Sequence, residues 1–464
     1  MTTDKPTSLR PIGAALAAAS IGFALIQLDV TIVNVALPRI GAAFHAPVDM
    51  LQWVVDAYAL VFSSLLLSAG VLGDRFGARR VYLAGLAVFA LASLGCGVAP
   101  DAGTLIAARA LQGTGAAAML PASLTLLNHA CDGDARLRAR AVGLWTAAGG
   151  VTIGAGPLVG GMLVAAASWR LIFLVNLPVC ALGWWLAARL PETGRAPRAP
   201  HLDLAGQALA TAALGGITGG VIELRPLGLS HPLVIGAFAV ALAAGAAFVR
   251  CEAHSRAPML PLRFFRLPSF APAVGFGILA NLTYYGIVFV LTLYLQGVLG
   301  YGAFTAGLAY LPLTATFIVS NLASGWLAGR AGTRRPMIAG ALVGAGGFAL
   351  LLALGPGTPY LRMLPGFALI PLGMGLAVPA MTTTILASVD KSASGIAAAV
   401  LNAARQAGGA VGVALFGAFV GHGHIVFGLH LAVLAATAAM LTAAGLAARG
   451  VREPQAAALQ AERA

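Results

Sequence analysis

Charged residues are scarce in this chain. They make up 9% of its 464 residues, against about a quarter in a soluble globular domain. A chain this poor in charge cannot cover a soluble fold's surface, and its remaining solvent is the bilayer. Lysine is nearly missing: of 28 basic residues 26 are Arg, and the lysines are Lys5 and Lys391. A phosphate-binding GxxxxGK[ST] loop needs lysine directly after glycine. Lys5 follows Asp4 and Lys391 follows Asp390, which excludes a pump driven through that loop. No ATPase-sized polar stretch exists either. The four cysteines, Cys96, Cys131, Cys180 and Cys251, show no metal-ligand spacing. His422-Gly-His424 is too little for a metal site. With no clustered nucleophile, no metal site and no cofactor motif, an enzyme is not expected. The ten-residue alternation of a membrane barrel is also absent.

What the chain has is apolar length. Hydrophobic residues are 59% of it, and the mean hydropathy is +0.90. In lipid each span must satisfy its own backbone, so helices are expected. Runs of about twenty apolar residues fall at 12–37, 51–72, 80–98, 104–127, 139–164, 170–189, 203–223, 231–250, 270–295, 304–328, 335–354, 362–388, 395–420 and 425–448. The first run is too long for a signal peptide and reads as a span. The segments 189–202 and 251–269 are Pro- and Arg-rich connectors, and 449–464 is a polar tail.

Loop charge tests this division. With the N-terminus inside, one side of the membrane holds 22 of the basic residues and the other holds Arg39, Arg170, Arg225 and Arg362. Arg109 and Arg405 fall within spans. The net charge of +13 therefore reads as positive-inside topology, with both termini cytoplasmic, rather than as a nucleic-acid surface.

The chain also repeats. Gly70, Leu72, Arg75, Gly77, Arg79 and Arg80 recur as Gly325, Leu327, Arg330, Gly332, Arg334 and Arg335, at a constant offset of 255 residues. This predicts two six-span halves, 1–189 and 270–448, joined by an insert of two extra spans in 190–269 and followed by the tail 449–464. Two parallel halves with a site between them is the architecture of a secondary transporter.

At these residues the chain resembles the major facilitator superfamily. Gly70 to Arg80 is similar to its loop between spans 2 and 3. Arg109, Gln112, Gly113 and Gly115 resemble its basic motif in span 4. Gly149, Gly154, Gly156, Pro157, Gly160 and Gly161 in span 5 resemble the antiporter motif that marks exporters. Leu28-Asp29 to Pro38, Trp53 to Tyr58, and Asn402 to Gly412 resemble the fourteen-span drug:proton antiporters of the EmrB/QacA type. The resemblance implies an all-α integral membrane fold: two six-helix bundles related by pseudo-two-fold symmetry plus two extra central helices. It implies proton-coupled export of small lipophilic or cationic compounds by alternating access, from the inner (cytoplasmic) membrane. The alternatives are an exporter of one native metabolite or antibiotic, and a proton-coupled importer. The gradient replaces any cofactor. The partners are the substrate, protons and the bilayer, with a periplasmic adaptor protein left open and no nucleic acid.

Ionisable groups inside spans are costly, which marks them as functional candidates. Asp29 lies about 12 Å inside the outer boundary if span 1 ends near Leu37; Asp56 lies about 7 Å in, and Arg109 at a similar depth. Burial disfavours the charged form of an acid and a nearby Arg favours it. A balanced carboxylate can then exchange a proton for a cationic substrate. The bland readings are an ion pair that fixes packing for Asp29 and Arg109, and an anchor at the end of span 2 for Asp56. Thr31, Asn34, Gln112, Asn281, Tyr284, Tyr285, Asn402 and Arg405 are candidate cavity residues, each also readable as a helix-to-helix hydrogen bond. Asp74, Arg75, Gly77, Arg79 and Arg80 form a candidate latch that holds the outward-open state, against a plain reading as topogenic charge and a helix turn. In the second half Gly329 replaces Asp74, which puts a matching latch there in doubt. The span-5 glycines and Pro157 are expected to let helices approach where the halves rock.

Overall fold

The computed structural model describes residues 12–131, 134–193, 202–255, 258–390, 393–420 and 424–452. The connector 194–201 and the tail 453–464 lie outside the described residues. Within them the chain is helical, with no strand among the described residues. The first half holds α1 (Gly13–Phe44), α2 (Val48–Phe76), α3 (Ala78–Val98), α4 (Ala102–Ala130), α5 (Ala135–Ala166), and the short pair α6 (Leu171–Leu174) and α7 (Asn176–Ala187). The insert contributes α8 (Leu204–Leu227) and α9 (Pro232–His254). Then come α10 (Phe270–Leu293), α11 (Ala303–Ala309), α12 (Leu311–Ala331), α13 (Arg334–Leu350), α14 (Tyr360–Ala387), α15 (Ser394–Phe419) and α16 (Ile425–Gly450). Among the described residues, twelve helical segments are long and apolar enough to cross a membrane. The apolar run Leu171–Ala187 is shorter. The 26-residue α15 is not one of the twelve, because Asn402, Arg405 and Gln406 interrupt its middle. Large apolar side chains such as Leu233, Leu242 and Leu361 face outward, a surface that suits lipid rather than water.

The 255-residue repeat is visible in the helices. Gly77 ends α2 with φ +94°, and its counterpart Gly332 ends α12 with φ +73°. That left-handed region is open to glycine at no steric cost. Shifted by the same offset, α3 falls on α13, α4 on α14, and α5 on α15. The insert stands apart. α8 packs on α2 and α15, whereas α9 packs chiefly on α8.

One boundary differs from expectation. α1 does not stop near Leu37 but continues through Pro38 to Phe44. A proline inside a helix has no N–H and crowds the carbonyl a turn earlier. Here Gln296 Nε2 donates to the Val35 carbonyl at 2.9 Å, so the second half supplies a donor at the disturbed turn. Asp29 therefore lies about 22 Å along the axis from the end of α1.

Candidate functional site

A polar network fills the centre of the first bundle. Arg109 on α4 is 1% exposed and Asp29 on α1 is 0% exposed. Arg109 Nη1 donates to Asp29 Oδ2 at 2.5 Å and to Gln112 Oε1 at 2.6 Å, and its Nε donates to the Val54 carbonyl at 3.0 Å. The guanidinium lies over the Tyr58 ring, 4.4 Å from its centroid. Gln112 Nε2 donates to Asp29 Oδ1 at 2.8 Å and to Ser93 Oγ at 2.9 Å. Asn176 Nδ2 reaches Asp29 Oδ1 at 3.4 Å. Asp29 thus has three donors and one counter-charge. A buried pair survives only when its remaining lone pairs are met in this way. Asp29, Arg109 and Gln112 are brought together as a set. Ser93 and Asn176 were missed, although each is a lone polar residue in an apolar run, which is the signal that could have found them.

Asp56 is the opposite case. It is 0% exposed, and neither carboxylate oxygen has a hydrogen-bond partner. It stands beside a void of about 20 Å3 bordered by Asn34, Tyr285, Gln406 and Gly409.

A much larger cavity, about 1010 Å3, separates the halves at the end where Asp74, Arg263 and Arg266 lie. It is large enough for a drug-sized molecule. Leu66, Leu67, Leu120, Leu124, Met259 and Ile396 form much of its wall, with polar groups from Ser68, Asn128, Trp145 and Asn402. The insert lines its rim with Asp203 and Glu252. Asp203 Oδ1 caps α8 by accepting from Gly206 N at 2.7 Å, and Glu252 Oε2 accepts from Leu260 N at 2.9 Å. The cavity is blind at its other end, where the halves touch. Gln52 Nε2 donates to the carbonyls of Val413 and Ala414 at 3.2 and 2.7 Å.

Of the expected cavity residues, Asn402 lines the large cavity, while Asn34 and Tyr285 line the small void. The others make contacts within their own half. Thr31 Oγ1 donates to its own helix at Gln27 and Leu28. Asn281 accepts from Arg405 Nε at 3.2 Å. Tyr284 stacks against Phe317 and meets Tyr285 edge-on.

The span-5 glycines sit at contacts. A Cβ on Gly149 would meet the Phe23 ring at 2.0 Å. On Gly156 it would meet Thr31 Oγ1 at 2.0 Å, and on Gly160 the Ile32 carbonyl at 2.9 Å. These three bring α5 against α1. Across the halves, Gly154 admits Thr314, whose Oγ1 donates to the Gly154 carbonyl at 2.9 Å. Gly161 would meet the Ala303 carbonyl at 2.6 Å, and the Pro157 carbonyl abuts Gly307.

The latch candidates separate into two groups. Ala78 N donates to Thr193 Oγ1 at 2.8 Å, and Arg80 Nε lies 3.4 Å from Glu192 Oε2. Gly77 has no room for a Cβ beside Glu192. These residues tie the turn to the chain after α7. Arg79 Nε is buried without a partner. Arg75 covers the Phe76 ring at 5.6 Å. Asp74 is exposed on the cavity rim and forms no ion pair among the described residues.

Residues 19–413 match the Major Facilitator Superfamily. The chain belongs to the major facilitator superfamily. It is 38% identical over 407 residues to the methylenomycin A resistance protein of Streptomyces coelicolor, covering 88% of this chain and 85% of that one. It is 39% identical over 420 residues to the cephamycin export protein CmcT of Amycolatopsis lactamdurans, covering 88% and 85%. To the multidrug resistance protein Stp of Mycobacterium tuberculosis it is 37% identical over 402 residues, covering 87% and 74%. The chain is accordingly a multi-pass membrane transporter of this superfamily and not an enzyme.

Proposed function

We propose that this chain exports small lipophilic or cationic drugs in exchange for protons, by alternating access. The observation that carries the reading is the cavity: about 1010 Å3, largely apolar, open at one end and sealed at the other by contacts between the halves. Such a cavity presents its content to one side of the membrane at a time. The relatives, named for resistance, export and multidrug resistance, support efflux as the direction.

The open end carries Arg263 and Arg266 at its rim, and by the positive-inside argument it faces the cytoplasm. The structure is then inward-open, with both termini cytoplasmic and the chain in the inner membrane. A free Asp74 suits that state, since a latch that holds the outward-open form is released here.

We also read fourteen spans. The twelve clear ones omit α15 and the α6–α7 pair. The repeat maps α5 onto α15 and α6–α7 onto α16, and α5 and α16 both count as spans. Each omitted element is therefore the counterpart of a counted one. The halves 1–189 and 270–448 follow, with α8 and α9 as the extra pair.

A test uses purified protein in liposomes with an imposed proton gradient and ethidium as a lipophilic cation. Uphill ethidium movement that collapses when the gradient is dissipated supports the reading; movement indifferent to the gradient contradicts it. A second reading, export of one native antibiotic, is favoured by relatives named for single compounds. A susceptibility panel in a pump-deficient host separates the two. Broad protection fits multidrug export, and protection against a single compound fits the narrower role.

A further inference from the structure

The small void beside Asp56 lies past the blind end of the large cavity, where α1 and α2 of one half meet α10 and α15 of the other. Its space fits about one water. Asn34 faces it from α1. Asn34 Nδ2 donates to the Val30 carbonyl at 3.2 Å, and its Oδ1 has no partner. Three buried oxygens, two from Asp56 and one from Asn34, therefore belong to residues that border the same small void, and none has a hydrogen-bond partner. An ionised carboxylate in such a place has a large desolvation cost. A carboxylic acid avoids that cost and carries an O–H that can donate.

The nearby charged and titratable groups are engaged elsewhere. From α4, Arg109 bonds Asp29, Gln112 and the Val54 carbonyl. From α15, Arg405 bonds Asn281. From α8, Glu223 accepts from Trp53 Nε1 at 3.2 Å, and Arg225 donates to the Ala418 carbonyl. Tyr285 on α10 and Tyr58 on α2 are phenols that make no hydrogen bond to Asp56. Among the described residues no arginine pairs with the Asp56 carboxylate.

The void lies where the halves are joined. Gln52, one turn before Asp56 on α2, makes two of the bonds that join them. Gln296, reaching the Val35 carbonyl, makes another. Parting the halves at this end exposes Asp56 to water, where its charged form is cheap. Joining them seals it in.

We propose that Asp56 is a proton-operated latch: the blind end closes only when Asp56 carries a proton, and loss of that proton reopens it. This rests on the reading of the chain as a proton-driven exporter and assigns the proton to Asp56 rather than to Asp29. The proton arrives from the outer water while the halves are parted. It leaves toward the large cavity past Gln406 and Asn402, which are one turn apart on α15 and border the void and the cavity respectively. Proton and substrate are then exchanged because one must leave before the end can reopen.

The test places spin labels at Met50→Cys on α2 and Thr305→Cys on α11, both exposed, with the four native cysteines replaced. Distances are read in nanodiscs by pulsed electron resonance between pH 5 and pH 9. The short-distance population of the otherwise wild-type chain is expected to fall as pH rises. In Asp56→Asn it stays dominant at every pH. Asp56→Glu restores the pH response and so distinguishes proton loss from damaged folding. Distances that ignore pH, an unchanged pH response in Asp56→Asn, or a response that needs sodium rather than protons overturns the proposal. Ethidium transport indifferent to a proton gradient, with the distance response intact, counts against the exporter reading and leaves the latch standing.

Discussion

Asp29 and Asp56 are both fully buried acids in the first bundle, yet their surroundings are opposite. Asp29 sits inside one half, among α1, α3, α4 and α7, with an arginine, a glutamine and an asparagine pointed at it. Asp56 sits between the halves with no donor at all. A rigid bundle can afford a permanent ion pair, because nothing there has to part. An interface that opens and closes gains instead from a group whose charge depends on whether it is open. Burial alone does not identify the coupling acid; what surrounds it does.

The comparison predicts unequal responses to mutation. Asp29→Ala leaves Arg109 buried without its counter-charge and is expected to cost about 3–5 kcal/mol, read as a clear loss of thermal stability in detergent. Asp56→Asn should leave thermal stability unchanged or raised while abolishing proton-coupled ethidium uptake into inverted vesicles. Equal destabilisation by the two changes would break the contrast. Next in size, Gly161→Val places a side chain against the Ala303 carbonyl, where a Cβ comes within 2.6 Å. Overpacking of that kind costs about 1–3 kcal/mol, and it should bias the labelled pair toward the parted form. Gln52→Leu removes two bonds across the halves, each worth about 1 kcal/mol; it should weaken closure without removing its pH dependence. The smallest effect is expected for Arg80→Ala. Its partner Glu192 is half-buried but Arg80 itself is 62% exposed, and exposed pairs contribute about 0–1 kcal/mol. A large transport defect there would mean that the turn after α2 does more than fasten α3.

Much of the architecture was legible in the residues. Apolar run length located the helices, and the repeat from Gly70 and Gly325 reappears as matching left-handed glycines at the ends of α2 and α12, because hydropathy and turn chemistry are local properties. The end of α1 was not legible. Pro38 looks like a stop, yet α1 runs through it, beside a bond from Gln296 far along the chain. Asp29, Arg109 and Asp56 stood out as charges in apolar runs, but which acid holds the arginine depends on helix rotation. The same holds for the polar candidates: Asn402 borders the large cavity, whereas Gln112 joins the Asp29–Arg109 network and Asn281 accepts from Arg405, placements that helix rotation decides. Asp203 caps α8 and Glu252 lies in the segment 251–269, and only the docking of α8 and α9 brings them to the cavity rim.

The most direct test of the exchange account is substrate-driven proton release from the solubilised, purified protein in weakly buffered solution. Adding ethidium to the wild type at mildly acidic pH should release protons in proportion to occupied sites, and Asp56→Asn should release none while still binding ethidium. Release from Asp56→Asn equal to that of the wild type would contradict the account.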